Sequence, residues 1–263
     1  MRPDPAIGRV LLVGAGPGPA DLMTVRALRA VESAQALLYD ALVDPGVLEL
    51  APRACLRIQT GKRAGRLSMK QHTINRLMLR LARRGLRVVR LKGGDPSVFG
   101  RVGEERAFLH AHGVAAEIVP GVTAACAAAA QFGFPLTHRG EARRLLIATA
   151  TVASGDLTEG GWAGAADPET TLALYMGRDQ AGAAAERLIH QGRPPSTPAI
   201  AVENAGHPHA RAFPATLQTL AATLAAAHPD GPVILLIGEV CAQADVATLG
   251  PATVGALPAR AAR

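Results

Sequence analysis

The chain has 263 residues, of which 49% are hydrophobic and only 3% aromatic, and carries a formal charge of +7. Its length and apolar content predict two domains; no apolar run reaches the ~18 residues of a membrane span and MRPDPAIGRVLLVGAG is not a secretory leader, so a cytoplasmic protein off the membrane is expected. The basic surplus calls for an anionic partner, but so few aromatics and the lack of any helix-turn-helix or zinc-finger signature argue against nucleic acid, leaving a polyanionic small molecule.

Strand and helix patterns alternate along the first half. RVLLVG (9–14) reads as a buried strand, followed by a helix over 20–34 with Leu22, Val25, Leu28 and Val31 on one face and Asp21 as its cap. ALLYD (36–40) and CLRIQ (55–59) are strand-like. Ser68 and Gln71 then form a capping box for a helix carrying Ile74, Leu77, Met78 and Leu81, which Gly85 ends. LRVVRLK (86–92) is a strand leading into GGDP, a helix runs from about Gly103 to Gly113, and AEIVPG (116–121) precedes a small-residue helix over 122–132.

PLTHRGEAR (135–143) breaks the alternation and predicts a linker, giving domains 1–137 and 138–263. The second domain should hold strands at 144–151, 170–176, 198–203 and 232–238, helices near 179–191 and 216–227, and a long loop over 153–172 of the kind that is often functional. The fold class is α/β, with two α/β domains.

Three loops lie where strands end: GAGPGPAD (14–21), GGDP (93–96) and PGVTAA (120–125). In α/β sheets, ligands gather outside the carboxyl ends of strands. The first loop is not a dinucleotide fingerprint, because Pro19 stands where a third glycine is required and Pro17 also lacks a backbone donor. Gly61-Lys62 fails the P-loop pattern too. Glycine and proline make a side-chain-poor wall suited to a nucleoside without phosphates. Taken singly, the glycines could be a tight turn, Asp95 a turn-former, and Asp40 and Lys62 a helix cap and a solvated lysine. Met176 is equally readable as core filler. Cys55, Cys126 and Cys241 are too few and too scattered for a disulfide framework or zinc cluster, and the pairs His110/His112 and His207/His209 lack a third ligand at metal spacing, so no metal is expected.

Collectively the blocks VLLVGAGPGPADLMTVRA (10–27), LYDALV (38–43), GKRAGRLSMKQHTIN (61–75), VVRLKGGDPSVFGRVGEE (88–105), VPGVTAACAAA (119–129), PLTHRG (135–140), LYMG (174–177), TPAIAVENA (197–205) and GEV (238–240) resemble the uroporphyrinogen-III C-methyltransferases of the tetrapyrrole methylase superfamily. The resemblance runs from about residue 9 to 241. It implies methyl transfer from S-adenosylmethionine to two ring carbons of uroporphyrinogen III, giving precorrin-2 by way of precorrin-1, toward cobalamin or siroheme. It implies two α/β domains with the cofactor in a trough between them, a homodimer, and a small-molecule tetrapyrrole partner. The cofactor contacts of the family fall on Pro17, Gly93, Gly94, Asp95, Val98, Thr123, Ala124, Met176 and Ala205, and its proton acceptor and donor on Asp40 and Lys62. The chain departs from the family pattern at Ser97, at Val102, over 149–151 and at Ala205. A methylase of a later precorrin, and a non-catalytic tetrapyrrole or nucleic-acid binder, are the competing readings. The eight carboxylates of such a substrate give the basic residues Lys62, Arg63, Arg66, Lys70, Arg90, Lys92, His138 and Arg139 an expected role in its capture. With only a short arm before residue 9, no dehydrogenase or ferrochelatase domain is expected.

Overall fold

In the computed structural model, which describes residues 8–61, 69–150, 162 and 164–247, the chain divides into two compact units, Met1–Thr123 and Ala124–Arg263. The first is built on five parallel strands: β1 (Val10–Gly14), β2 (Ala36–Tyr39), β3 (Leu56–Gln59), β4 (Val88–Lys92) and β5 (Ala116–Val119), in the order β3-β2-β4-β1-β5. Parallel strands covered by crossover helices are apolar on both faces. Accordingly Val13, Leu37, Val89 and Leu91 pack on α1 (Val25–Glu32) and α2 (Pro45–Glu49), while Leu12, Leu38 and Val88 pack on α3 (Gln71–Arg83) and α4 (Val102–Ala111). Each such buried side chain contributes about 1.5–3 kcal/mol relative to exposure.

The second unit holds a mixed sheet. Its strands are β6 (Arg144–Thr149), β7 (Thr170–Tyr175), β8 (Pro198–Glu203), β9 (Arg211–Thr216) and β10 (Val233–Ile237), ordered β6-β7-β10-β8-β9 with only the β6–β7 pair parallel. α6 (Ala181–His190) and α7 (Leu220–Ala227) cover one face, and α5 (Ala124–Gln131) covers the other through Ala125, Ala128 and Ala129.

Several expectations change at the level of single turns. The first helix begins at Val25, not at residue 20: residues Ala20–Leu22 form a separate 3-10 turn, and the cap is Thr24, whose Oγ1 accepts from Ala27 N at 3.1 Å, rather than Asp21. The buried stripe therefore falls on Ala27, Ala30 and Val31, leaving Val25 62% exposed. The third helix has Lys70 as its N-cap and Gln71 as its first residue; Ser68, the other half of the expected capping box, lies outside the described residues. β9 was hidden by Pro214, which the ladder tolerates because β9 is an edge strand. α2 was concealed by its Asp44-Pro45-Gly46 start, where Asp44 Oδ1 accepts from Gly46 N at 2.7 Å. Half of the long loop expected over 153–172 lies outside the described residues; its Trp162 is buried under the Arg187 guanidinium, and its C-terminal end is already the start of β7.

Candidate functional site

The carboxyl edge of the parallel sheet is where β1, β4 and β5 release their three glycine-bearing loops. These loops pack backbone against backbone. Ala15 N donates to Lys92 O at 2.8 Å, and Gly16 and Gly94 exchange two hydrogen bonds of 3.2 and 2.7 Å. A Cβ on Gly14 would lie 2.7 Å from the Gly121 Cα and from the Gly94 oxygen; one on Gly121 would lie 2.3 Å from that same oxygen. No side chain fits there. Gly94 differs: its φ is +68°, yet a Cβ would meet nothing nearer than Val122 O at 3.9 Å, so the residue is glycine for conformational reasons.

Asp95 ties the arrangement together. Its Oδ1 accepts from Ser97 N at 2.8 Å and from the Ser97 hydroxyl, and its Oδ2 accepts from Gly121 N at 2.9 Å. An ionised carboxylate offers about four lone-pair positions. Three are taken by the loops themselves, so Asp95 is first a clamp between the second and third loops, with one position left for a ligand. The half-buried Pro17, Gly93 and Val98 lie on the same edge, and Gly93 is overlain by Leu42, which is 58% exposed although apolar.

Asp40 stands at this edge too, directly after β2, half-buried, with Oδ1 accepting from Leu42 N at 3.2 Å. Lys62 lies outside the described residues, as do Arg63 and Arg66. Their flanks are described. Thr60 donates twice to Tyr39 O, Met69 N returns to Thr60 O, and a Cβ on Gly61 would sit 2.4 Å from Ala41 N. The chain thus departs for residue 62 from a point in van der Waals contact with the Asp40–Ala41 peptide.

Beneath these loops lies a charged cluster that the sequence reading assigned differently. Arg90 and Lys92 were expected to meet substrate carboxylates, but they are 4% and 5% exposed and both grip Glu105 of α4, itself fully buried. Arg90 Nε is 3.2 Å from Glu105 Oε1, and Lys92 Nζ is 3.2 and 3.3 Å from its two oxygens. Gln71 Nε2 donates to Glu105 at 3.0 Å and to Asn75 at 2.9 Å. Burial, and then the Arg90 charge, push the Lys92 ammonium below its ordinary range, with Glu105 and Asp40 opposing them. Removing one partner from such a cluster typically costs about 3–5 kcal/mol. The remaining described basic candidates, Lys70, His138 and Arg139, are exposed.

In the second unit the candidates surround α5. Ala125 N donates to the Tyr175 hydroxyl at 3.1 Å, tying the helix start beside Ala124 to the end of β7 beside Met176. At the other end of α5, Gln131 accepts from Gly206 N and donates to His207 O, both at 2.9 Å, holding the loop that carries the buried Ala205. Thr123 closes the first unit and Ala124 opens the second. Glu203, missed in the sequence, stabilises this loop by accepting from Arg211 Nε and Gly231 N, both at 2.6 Å. Burial would raise its pKa, but these bonds outweigh burial and hold the carboxyl below its ordinary range.

Backbone strain marks the same loops. The described non-glycine residues with positive φ are Phe99, Arg101, Met176, Asn204 and His228; Arg101 and His228 are helix caps, and Phe99, Met176 and Asn204 are candidate positions or adjoin them. Such conformations cost about 1–3 kcal/mol each and cluster at ligand sites. Met176 also leaves its apolar side chain 54% exposed. Among the described residues no group of three or more His, Cys, Asp or Glu is placed to hold a metal, and no helix is long and apolar enough to cross a membrane. Cys55, Cys126 and Cys241 are free thiols.

A doubly wound parallel sheet with interlocked loops on its carboxyl edge defines the class of α/β proteins that collect small ligands at that edge. The chain matches the model of the tetrapyrrole (corrin/porphyrin) methylases over residues 9–221 and belongs to that family. The uroporphyrinogen-III C-methyltransferase of Paracoccus denitrificans is 43% identical over 245 residues, 93% of this chain and 85% of that protein. The siroheme synthase of Azotobacter vinelandii is 44% identical over 237 residues, which cover 89% of this chain and 50% of the synthase. The chain thus spans about half the length of the siroheme synthases it matches. The solved uroporphyrin-III C-methyl transferase of Thermus thermophilus complexed with S-adenyl homocysteine superposes with a TM-score of 0.78 at 41% identity, over 90% of this chain and all of that one.

Proposed function

We propose that the chain is a methyltransferase that uses S-adenosylmethionine to methylate two ring carbons of uroporphyrinogen III, forming precorrin-2 through precorrin-1. The observation that supports this most directly is the glycine-packed, Asp95-bridged loop set with Asp40 on the same sheet edge, in a chain 43% identical to a uroporphyrinogen-III C-methyltransferase. When bound, S-adenosylmethionine supplies an electrophilic methyl group on a sulfonium, so the protein needs no nucleophile of its own.

The chain's residues then have two tasks. By likeness to the family, cofactor contacts are assigned to Pro17, Gly93, Gly94, Asp95, Val98 and Thr123 in the first unit and to Ala124, Met176 and Ala205 in the second. In the first unit, the side-chain-poor loop backbone and the exposed apolar Leu42 suit a nucleoside. Alignment of ring carbon and methyl supplies much of the acceleration. Asp40 accepts the proton that the methylated, cationic macrocycle must lose, and Lys62 donates where the macrocycle takes one up; each contributes about 100-fold or more. A homodimer, a cytoplasmic location and service to cobalamin or siroheme synthesis belong to the same proposal and rest on likeness to the family. Titration calorimetry of chelator-treated protein with S-adenosylhomocysteine tests the cofactor half. Binding is expected, and well-folded protein that binds neither it nor S-adenosylmethionine would remove the reading.

A further inference from the structure

We propose that Lys92, held by Glu105, is a positioning residue that supplies the buried counter-charge for Asp40; the inference deepens the methyltransferase reading and rests on its assignment of Asp40 as base. The register carries it. β2 and β4 are paired with Leu38 opposite Arg90 and Tyr39 opposite Leu91, so Asp40 and Lys92 are the next residues in line at the carboxyl edge. With side chains alternating along each strand, Lys92 projects to the face shared by Leu38 and Arg90, toward α3 and α4, and Asp40 follows Leu38 in the same alternation just past the end of β2.

The charges on that face do not balance among themselves. Arg90 and Lys92 bring two positive charges to the one carboxylate of Glu105, leaving one positive charge in excess where water has little access. Of the other described charged groups nearby, Glu104 also feels Lys92 but is exposed and forms a bidentate pair with Arg101 through bonds of 2.8 and 2.7 Å, and Lys70 ahead of α3 is exposed. Asp40 is the carboxylate that the register sets level with Lys92, and its charge favours the ammonium form there.

Lys92 is also fixed in place. A Cβ on Gly100 would come within 3.1 Å of Lys92 Cε, so the side chain runs beneath the returning arm of the GGDP loop on its way to Glu105. One lysine therefore sets the floor of the cofactor loop and the electrostatic surroundings of the base. Glu105 makes this possible by giving the ammonium two oxygens, and Gln71 and Asn75 orient Glu105.

The experiment compares wild type, Lys92→Met and Lys92→Arg in kcat and KM for methyl transfer to uroporphyrinogen III, with S-adenosylhomocysteine affinity measured alongside. A group that acts through the base lowers turnover without loosening the ligands. Lys92→Met should lower kcat roughly 10-fold while KM and the affinity stay within about threefold; Lys92→Arg should restore kcat. If Lys92→Met does not fold, Lys92→Gln, which keeps a hydrogen-bond donor for Glu105 without the charge and leaves the Arg90–Glu105 pair in place, is used with the same expectation. Wild-type kcat in Lys92→Met, or a parallel loss of affinity and kcat that Lys92→Arg does not reverse, would overturn the proposal. An inactive wild type would instead strike at the methyltransferase reading, so the two failures are distinguishable.

Discussion

Replacing Gly121 by alanine tests the loop architecture most sharply. The new methyl would lie 2.3 Å from the Gly94 oxygen and 2.9 Å from the Gly14 Cα, both backbone atoms that cannot rotate away. To relieve it, the third loop must withdraw from the first two, and the bond from Gly121 N to Asp95 lengthens or breaks. Overpacking typically costs about 1–3 kcal/mol, and a hydrogen bond to a charged group is worth about 1.5–3 kcal/mol. A combined penalty of about 3 kcal/mol on the ligand-ready arrangement corresponds to roughly 100-fold in affinity. Gly103→Ala is the matched control, since a Cβ there meets nothing within 4 Å and the residue lies inside α4, where alanine should stabilise by about 0.5–1 kcal/mol. Calorimetry with S-adenosylhomocysteine and urea unfolding of both variants provide the readout. Wild-type affinity in Gly121→Ala would refute the claim that close loop packing builds the site.

Gly94→Ala should cost less, about 1–2 kcal/mol, because its strain is the left-handed backbone alone; circular dichroism melts and the same calorimetry would register it, and a loss larger than in Gly121→Ala would contradict the assignment. Asp40→Asn should lower turnover about 100-fold with cofactor affinity retained, and equal activity would return Asp40 to a turn residue. Glu203 has a depressed folded-state pKa, so its contribution to stability is present above the unfolded carboxyl value of about 4.3 and is lost as pH falls through the lower folded value. Glu203→Gln should therefore be less stable at neutral pH, with the gap closing in acid; a pH-independent gap in urea midpoints would deny the ionised pairing. Tetrapyrrole KM should rise with potassium chloride while S-adenosylhomocysteine affinity holds, since exposed charges are screened over about 10 Å at 0.1 M; equal dependence would make the basic surplus incidental.

What could be read in advance follows from the range of the forces involved. The strands β1, β7, β8 and β10 are legible because burial on both faces leaves apolar runs, β4 through Val88, Val89 and Leu91 between its basic residues, and the three loops because glycine and proline punctuate the strand ends. Helix starts are less so: Asp21 and Thr24 are both acceptable caps, and only packing of Ala27 and Val31 decides between them. β9 is invisible because Pro214 speaks against a strand until its edge position is known. The reversal at Arg90 and Lys92 has the same origin. Their partner Glu105 is 13 to 15 residues away on the following helix, and no local pattern reveals that a strand's basic residues turn inward to meet it. Asp95 stands out in the sequence as a candidate cofactor ligand, but no local pattern shows it as the clamp on Gly121, 26 residues on.

The most direct measurement is incubation of the full chain with uroporphyrinogen III and methyl-labelled S-adenosylmethionine under reducing, anaerobic conditions, following absorbance and label together. A methyltransferase of the proposed kind yields a new chromophore carrying up to two labelled methyl groups per macrocycle, with one S-adenosylhomocysteine released for each. Protein that binds S-adenosylmethionine tightly yet transfers no label to uroporphyrinogen III, and leaves its spectrum unchanged, would contradict the account.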